Sequence, residues 1–282
     1  MVPDPYPDRP TAPDVCVLIS TYAGETASRL GASLASLREQ TLRPGRVVLV
    51  VDGPVDPEQE ATIAAFAAAG APPLDLVRIP RNVGLAGALN AGLERCRGAW
   101  IMRMDSDDLC MPDRLEIQMA YAWRHPGIDV VTAWSEEFFE DGTAPQIKVS
   151  PTRHAAVARA MRWRNVLVHP TVLVRTEVLR RVGGYRSRYG LLEDYDLFVR
   201  LIQAGAQFHV IPRVLVRVRS SLAQKERRGG LAYCFGEMRF RFACYRSGFL
   251  GLRNLFGVTP LYLVFRLVSG PLKRRFYSLA RA

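Results

Sequence analysis

Four short apolar runs, each followed by a helical pattern or an abrupt turn, restrict this chain more than any other feature of its sequence. "VCVLIS" (15–20), "RVVLVV" (46–51), "LDLVRI" (74–79) and "GAWIMRM" (98–104) are the length of strands, and three of them are almost unbroken by polar residues. Helical patterns separate them: one through Leu30, Leu34 and Leu37, then "PEQEATIAAFAAAG" closed by Gly70, then "NVGLAGALNAGLERC" from about Leu85. A strand with no polar face has to be covered on both sides, so the alternation implies an α/β fold with a mostly parallel sheet between two layers of helices. A helix from Pro112 ("PDRLEIQMAYAWR") and a strand "IDVVTAW" extend this first half. The second half is less regular. "PTRHAAVARAMRWRN" reads as helical, "HPTVLVR" as extended, "EDYDLFVRLIQAG" as a helix closed by Gly205, and "QFHVIPRVLVRVR" as one or two strands.

At 282 residues and 49% apolar, the chain buries a sizeable core, as one domain with an appendage or as two small ones. The opening "MVPDPYPDRPTAPD" lacks the basic start and apolar centre of a signal peptide and reads as a loose tail. The expected division is a flexible tail over 1–13, one domain over 14–221 and a basic, helical C-terminal extension over 222–282. Five scattered cysteines with no C-x-x-C pair argue against a disulfide framework or a zinc site and fit a reducing cytoplasm.

The net charge of +11 is concentrated at one end: from Arg213 onward there are 15 Lys/Arg and 2 Asp/Glu, and everything earlier is close to neutral. A nucleic-acid-binding reading is thereby weakened, because the basic character is not spread over a domain. The apolar stretch "VTPLYLVFRLV" is broken by Pro260 and Arg266 and falls short of the roughly 20 residues that span a bilayer. Arginines beside apolar and aromatic residues instead suit a helix lying on an anionic membrane surface, which gives a peripheral protein on the cytoplasmic face of the inner membrane. A C-terminal helix packed on the domain with a solvated basic edge is the competing reading.

Two acidic clusters carry the chemistry. "WIMRMDSDD" ends a buried strand in Asp105, Asp107 and Asp108. Three carboxylates in four residues repel one another unless they share something positive, and oxygen ligands at this density suit Mg²⁺ or Mn²⁺ holding a diphosphate. Helix capping explains them poorly, since Pro112 at a first helical position puts the cap near Met111; Asp108 is left to a turn. Asp52 stands at another strand end, where open parallel sheets bind ligands, but "DGP" is also an ordinary turn. Gly84, Gly87 and Gly92 either admit a nucleotide or pack a helix on the sheet, and no dinucleotide or P-loop fingerprint is present. In the second cluster, "LLEDYDLFVRL", Asp194 lies on the side of Leu197 and Phe198, the face that seeks the core, whereas Asp196 points elsewhere. Acids at a helix start are stabilised by its dipole; one that also faces a cleft is a candidate general base. His169 and Thr171 are candidates for the acceptor side, against a plain structural role for the histidine.

Taken in order, "VLISTYAGE", "SLREQTLRPGRVVLVVDGP", "NVGLAGALNAGLERCRGAWIMRMDSDDLCMPDRLEIQ", "HPTVLVR" and "GGYR…LLEDYDLFVRL" resemble the family 2 inverting glycosyltransferases, which use nucleotide sugars on a GT-A fold. The resemblance covers roughly Val15 to Ser221. It implies that Thr21, Tyr22, Glu25 and Asp52 line the nucleotide pocket, with Asp52 accepting from uracil, and that Gly84, Arg81 and Asn90 border the diphosphate. Asp105 and Ser106 then lie against the donor, with Asp105 near ribose and metal and Asp107 ligating the divalent ion. Asp194 would be the catalytic base and Glu193 would support the acceptor. Many members carry a histidine in an "R-x-H" pattern after the last strand; here "RVRSS" places Arg219 there, and Arg217 or Arg219 is expected on the phosphate oxygens. The nearest likeness is to bacterial enzymes of surface polysaccharide or O-antigen assembly, which implies UDP-galactose or UDP-glucose as donor and a saccharide or undecaprenyl-diphosphate-linked acceptor. The competing functions are a sugar-nucleotide nucleotidyltransferase, whose glycine- and lysine-bearing signature "STYAGETASRL" lacks, and a non-catalytic carbohydrate-binding protein on the same fold.

Overall fold

The computed structural model describes residues 8–220 and 231–257. Its first half alternates as expected: β1 (Thr11–Thr21), α1 (Ala27–Arg38), β2 (Arg43–Asp52), α2 (Pro57–Ala68), β3 (Leu74–Ile79), α3 (Leu85–Arg95) and β4 (Trp100–Asp105). There follow β5 (Leu109–Cys110), α4 (Arg114–Arg124), β6 (Val130–Phe139), β7 (Gln146–Lys148) and α5 (His154–Met161). A 3-10 turn (His169–Thr171), β8 (Leu173–Arg175), α6 (Thr176–Arg181), α7 (Glu193–Gln203), β9 (Phe208–Ser220) and α8 (Leu231–Arg246) complete the described residues.

The strands form one sheet in the order β3-β2-β1-β4-β8-β6-β9-β5, with β7 on β6. β1 to β4 pair in parallel, β8 runs antiparallel between β4 and β6, and β9 lies parallel to β6. The apolar runs supply both faces by alternation. Cys16, Leu18, Val48 and Val50 enter one core layer with α3, α6 and α7; Val15, Val17, Ile19, Val47 and Leu49 enter the other with α1, α2 and α4.

Several boundaries differ from the sequence reading. β1 starts at Thr11, inside the stretch expected to be loose, because Thr11 and Ala12 pair with Arg43 and Pro44 and the Arg43 amide donates to the Pro10 carbonyl (2.8 Å). α4 starts at Arg114 rather than Pro112; Asp113 is the flanking residue, and its carboxylate binds Arg213 (2.6 Å) instead of capping. "HPT" is not extended: Pro170 opens a 3-10 turn in which the Val172 amide donates to the His169 carbonyl (3.2 Å). The expected basic extension is in part core, since Phe240 and Cys244 of α8 are buried against the α7 side. The amphipathic stretch from Val258 onward lies outside the described residues.

What positions the site is register. Ser20 of β1 sits opposite Asp105 of β4, and Thr21 opposite Val51 of β2. Thr21, Asp52 and Asp105 therefore emerge at one carboxyl edge of the sheet, where ligands of open α/β sheets bind.

Candidate functional site

At the β1–β2 side, Gln59 of α2 reaches under the edge, donating to Thr21 Oγ1 (3.4 Å) and to the Tyr22 carbonyl (3.1 Å). It is fully buried and fixed by a capping box with Asp56. The Tyr22 ring is exposed, at 42%. Glu25 is buried, accepts from the Thr26 amide (2.8 Å) and lies 4.0 Å from Arg29. Asp52, 4% exposed, accepts from the Val83 amide (2.8 Å) and the Gly84 amide (3.0 Å), so it ties the end of β2 to the start of α3. Gly84 takes φ +81° there, a backbone conformation that side chains disfavour. Arg81 stands exposed in the same loop. Asn90, expected at the diphosphate, is committed elsewhere: its amide donates to the Tyr185 carbonyl (2.9 Å) and accepts from the Tyr185 amide (2.8 Å), clipping α3 to the loop before α7.

The acidic turn follows β4. Residues 101, 103 and 105 share a strand face, and Arg103, 1% exposed, sends its guanidinium onto the Asp105 carboxylate and the Met104 carbonyl. The Asp105 carbonyl accepts from Ser33 of α1 (2.9 Å). Ser106 is buried at the turn. Burial, then the charges of Asp105 and Glu25, pushes the Asp107 carboxyl up to about 6 in spite of Arg219 nearby. Asp108 is 1% exposed and raised well above the ordinary carboxyl range, first by burial and then by Asp105 and Asp107. It accepts from the Arg219 amide (2.7 Å), while its second oxygen has no partner among the described residues. Arg219 closes the turn: its Nε donates to the Asp107 carbonyl (2.9 Å), its Nη1 meets Glu140, and its guanidinium lies 4.7 Å from the Phe138 ring centre. Arg217 is turned to Glu136 (2.7 Å) beside the same ring. No three His, Cys, Asp or Glu side chains form a metal cage among the described residues. What the turn does offer is two half-buried carboxylates, Asp105 on Arg103 and Asp107 raised in spite of Arg219, oxygen donors of the kind that hard divalent cations such as Mg²⁺ or Mn²⁺ accept.

The second centre is the start of α7. Asp194 Oδ2 accepts from Asn165 (2.9 Å) and Oδ1 from the Tyr195 amide (2.6 Å). Asn165 is itself oriented, because its Oδ1 accepts from the Leu167 amide (3.1 Å). Burial pushes Glu193 up to about 7, with Asp194 and Asp105 adding to the rise and Arg103 opposing it; the two acidic centres thus share one field. Asp196, expected to point away from the core-seeking face, is instead buried and paired with Arg200 (2.7 Å), whereas Asp194 is only half-buried. Between the first turn of α3 and the loop before α7 opens a cleft of about 460 Å³, lined by Gly87, Asn90, Tyr185, Arg186, Ser187 and Arg188 among others.

His169 and Thr171 do not meet the acceptor-side expectation with exposed atoms. Thr171 is fully enclosed and donates to the Val168 carbonyl (2.7 Å). His169 is 8% exposed, pairs with the Tyr185 hydroxyl (3.1 Å), and is kept neutral by burial and by Arg103. Sequence reasoning missed Arg103, Asn165 and Gln59. Only Arg103 left a signal: a cation in a buried strand two residues before an acid shares that acid's face.

Residues 16–183 match the family Glycosyl transferase family 2. The amylovoran biosynthesis glycosyltransferase AmsE of Erwinia amylovora is 35% identical over 83% of this chain and 88% of its own. The UDP-Gal:alpha-D-GlcNAc-diphosphoundecaprenol beta-1,3-galactosyltransferase of Escherichia coli is 29% identical over 86% of this chain and 87% of its own. Among solved structures, S. aureus TarS 1-349 in complex with UDP-GlcNAc superposes with a TM-score of 0.63 at 17% identity, over 80% of this chain and 65% of that one. The mannosyltransferase PcManGT from Pyrobaculum calidifontis, in complex with GDP-Man and Mn²⁺, gives 0.61 at 18% identity, over 85% of this chain and 67% of that one. At such identities the structures establish the fold, a GT-A-type transferase fold.

Proposed function

The chain belongs to glycosyl transferase family 2, and from that premise we propose that it transfers a hexose, with inversion, from UDP-galactose or UDP-glucose to a saccharide on a lipid diphosphate such as undecaprenyl diphosphate. The observation that carries this reading is the nearness of two acidic centres, one at the carboxyl edge of the sheet and one at the start of α7, close enough that Asp105 and Asp194 both raise Glu193. The relatives' names support the substrate class, one being a transferase of UDP-Gal to a diphosphoundecaprenol-linked sugar. Assembly of a surface polysaccharide at the cytoplasmic face of the membrane is the setting that follows.

Thr21, Tyr22, Glu25 and the loop held by Asp52 receive the nucleotide. Asp105 and Asp107 hold a divalent ion, Mn²⁺ or Mg²⁺, which when bound supplies the positive charge that the diphosphate needs as it departs. Arg219, fastened to the carbonyl of Asp107, adds a fixed cation beside that site. Asp194, oriented by Asn165, removes the proton of an acceptor hydroxyl as that oxygen attacks the anomeric carbon. The new carbon–oxygen bond forms on the face opposite the one that breaks, so an α-linked donor gives a β-glycoside and free UDP. Glu193 supports the acceptor beside it.

The test is to incubate the protein with Mn²⁺, UDP, GDP and dTDP sugars and a lipid-diphosphate-linked saccharide, and to measure the released nucleotide and the anomeric configuration of the product. UDP release with a β-linked product is expected. Pyrophosphate release would restore the nucleotidyltransferase reading, and an α-linked product would remove the single-displacement mechanism.

A further inference from the structure

We propose that the outward face of α8, with Trp163 and Leu191 beside it, seats this protein on an anionic bilayer surface with the acceptor end of the cleft turned towards the lipid. The proposal rests on the lipid-linked acceptor of the preceding section and deepens it by naming the surface and the residues.

α8 has two distinct sides. Its inner side is Cys234, Glu237, Phe240, Arg241 and Cys244, all buried. Phe240 packs at a tilt against Tyr195 (centroids 4.7 Å) and edge-on against Tyr189 (5.4 Å), the aromatic residues on either side of the 190–194 stretch. Its outer side is Phe235, Met238, Arg239, Phe242 and Arg246, spaced three and four residues apart and all exposed, with Phe235 at 61% and Phe242 at 54%. Phe235, Met238 and Phe242 are three large apolar side chains along one exposed helix face, and water is a poor partner for them.

The inner side of α8 also packs against the segments that hold the acceptor-side carboxylates. Arg241 donates to the Trp163 carbonyl (3.1 Å), which fixes that loop against α8, and two residues later Asn165 holds Asp194. Trp163 is 47% exposed between the exposed Arg162 and Arg164. Leu191, 51% exposed, stands two residues before the start of α7. Exposed aromatic and aliphatic groups thus lie close in the chain to both Asn165 and Asp194, with Arg162 and Arg164 beside Trp163, a composition suited to a surface that enters the headgroup region. A tryptophan at such a boundary places its apolar ring inward and its N–H at the wet level.

Charge decides between a bilayer and the chain's own C-terminal segment as the occupant. The exposed charges of α8 and the residues after it are Arg239, Arg246 and Arg253; the single acid of α8, Glu237, is buried against Arg241 (3.3 Å). Residues 258–282 carry Arg266, Lys273, Arg274, Arg275 and Arg281 and no acid, so they would bring like charge to this face. An anionic lipid surface is complementary to both, and each arginine held near it strengthens attachment.

The full chain is tested by flotation with phosphatidylglycerol-containing vesicles and with phosphatidylcholine vesicles, alongside UDP release on a short water-soluble acceptor. The wild type is expected on the anionic vesicles. The double variants Phe235→Ser/Phe242→Ser and Arg239→Glu/Arg246→Glu should each bind them roughly tenfold or more weakly, with unchanged thermal unfolding and unchanged UDP release on the soluble acceptor. Wild-type-like binding by both variants would overturn the proposal and assign attachment to other residues, 258–282 included; so would a wild type that ignores anionic vesicles. Failure of the transferase reading is distinguishable, since it appears as absence of UDP release by the wild type whatever the vesicles show.

Discussion

The turn after β4 and the start of α7 look alike in sequence, three acids within four residues in each, yet they are balanced differently. At α7 two of the three acids are settled: Asp196 faces Arg200, and Asp194 takes two donors from Asn165 and the Tyr195 amide, while burial pushes Glu193 up to about 7. At the turn Asp105 meets Arg103, and the other two carboxyls are raised. Asp108 is enclosed with one oxygen unpartnered among the described residues, and Asp107 is pushed up to about 6 despite Arg219. In both clusters one acid serves the interior, so an acidic run does not by itself measure the number of ligands it offers. In the reading proposed above, the turn is the place for a cation and its diphosphate, and the start of α7 the place where a proton is moved.

The division is broken most severely at Asp194. Asp194→Asn keeps the volume and an acceptor for the Tyr195 amide but removes the base, and we expect turnover to fall about 10³-fold with the donor KM nearly unchanged. A donor KM that rises while turnover holds would move Asp194 to the donor side and erase the contrast. Next in size is the pH response of Glu193. Its folded value, about 7 against an ordinary 4.5, is raised, so its contribution to stability is complete below the ordinary value and is lost as pH rises through 7. Without divalent cation, urea denaturation should show wild type losing stability between roughly pH 4.5 and 7, and Glu193→Gln should remove about 3 kcal/mol of that loss. Identical pH dependence in the two proteins would show Glu193 to be better solvated than its burial suggests.

The layered sheet was legible because unbroken strands such as Val47–Val51 admit only a two-sided core, and period-2 alternation assigns each residue to a layer. The strand-end acids were legible for the same reason, since a buried strand that stops in carboxylates needs an explanation there. The partners of Asn90, His169 and Thr171 were not legible, because Tyr185 and Val168 lie in loops whose path no local pattern encodes. Helical phase put Asp194 at the start of α7 but not the burial of Asp196, and the residue that orients Asp194, Asn165, comes from an irregular stretch after α5. The two-residue difference at the start of α4 has no local signal in the sequence: Pro112 is acceptable at a first helical position, but the helix begins at Arg114 and Asp113 pairs with Arg213, a hundred residues away.

At the turn itself the effects should be smaller. Arg219→Ala takes away the fixed cation beside Asp107 and the restraint on its carbonyl, and turnover should drop between about ten- and a hundredfold at saturating donor. Lysine should restore little, because it cannot both stack beside Phe138 and reach the Asp107 carbonyl with a planar fork. Unchanged turnover in Arg219→Ala would leave the guanidinium as a strut between Glu140 and the turn.

The finest test separates what Asp108 does by shape from what it does by charge. Its Oδ1 accepts from the Arg219 amide, joining the turn to β9, and burial raises its carboxyl, so its contribution to stability falls as pH climbs. Asn has the same shape and keeps that acceptor without the charge. Asp108→Asn is therefore expected to hold or gain stability at pH 8, by at most about 1 kcal/mol, whereas Asp108→Leu, which leaves the Arg219 amide unpaired, should lose about 1–3 kcal/mol in urea denaturation. If Asn lowers donor-dependent turnover as far as a substitution at Asp107 does, the charge of Asp108 acts on the cation too. The turn would then hold three working carboxylates against the two at α7, Glu193 and Asp194, and the parallel of one interior acid in each cluster would fail.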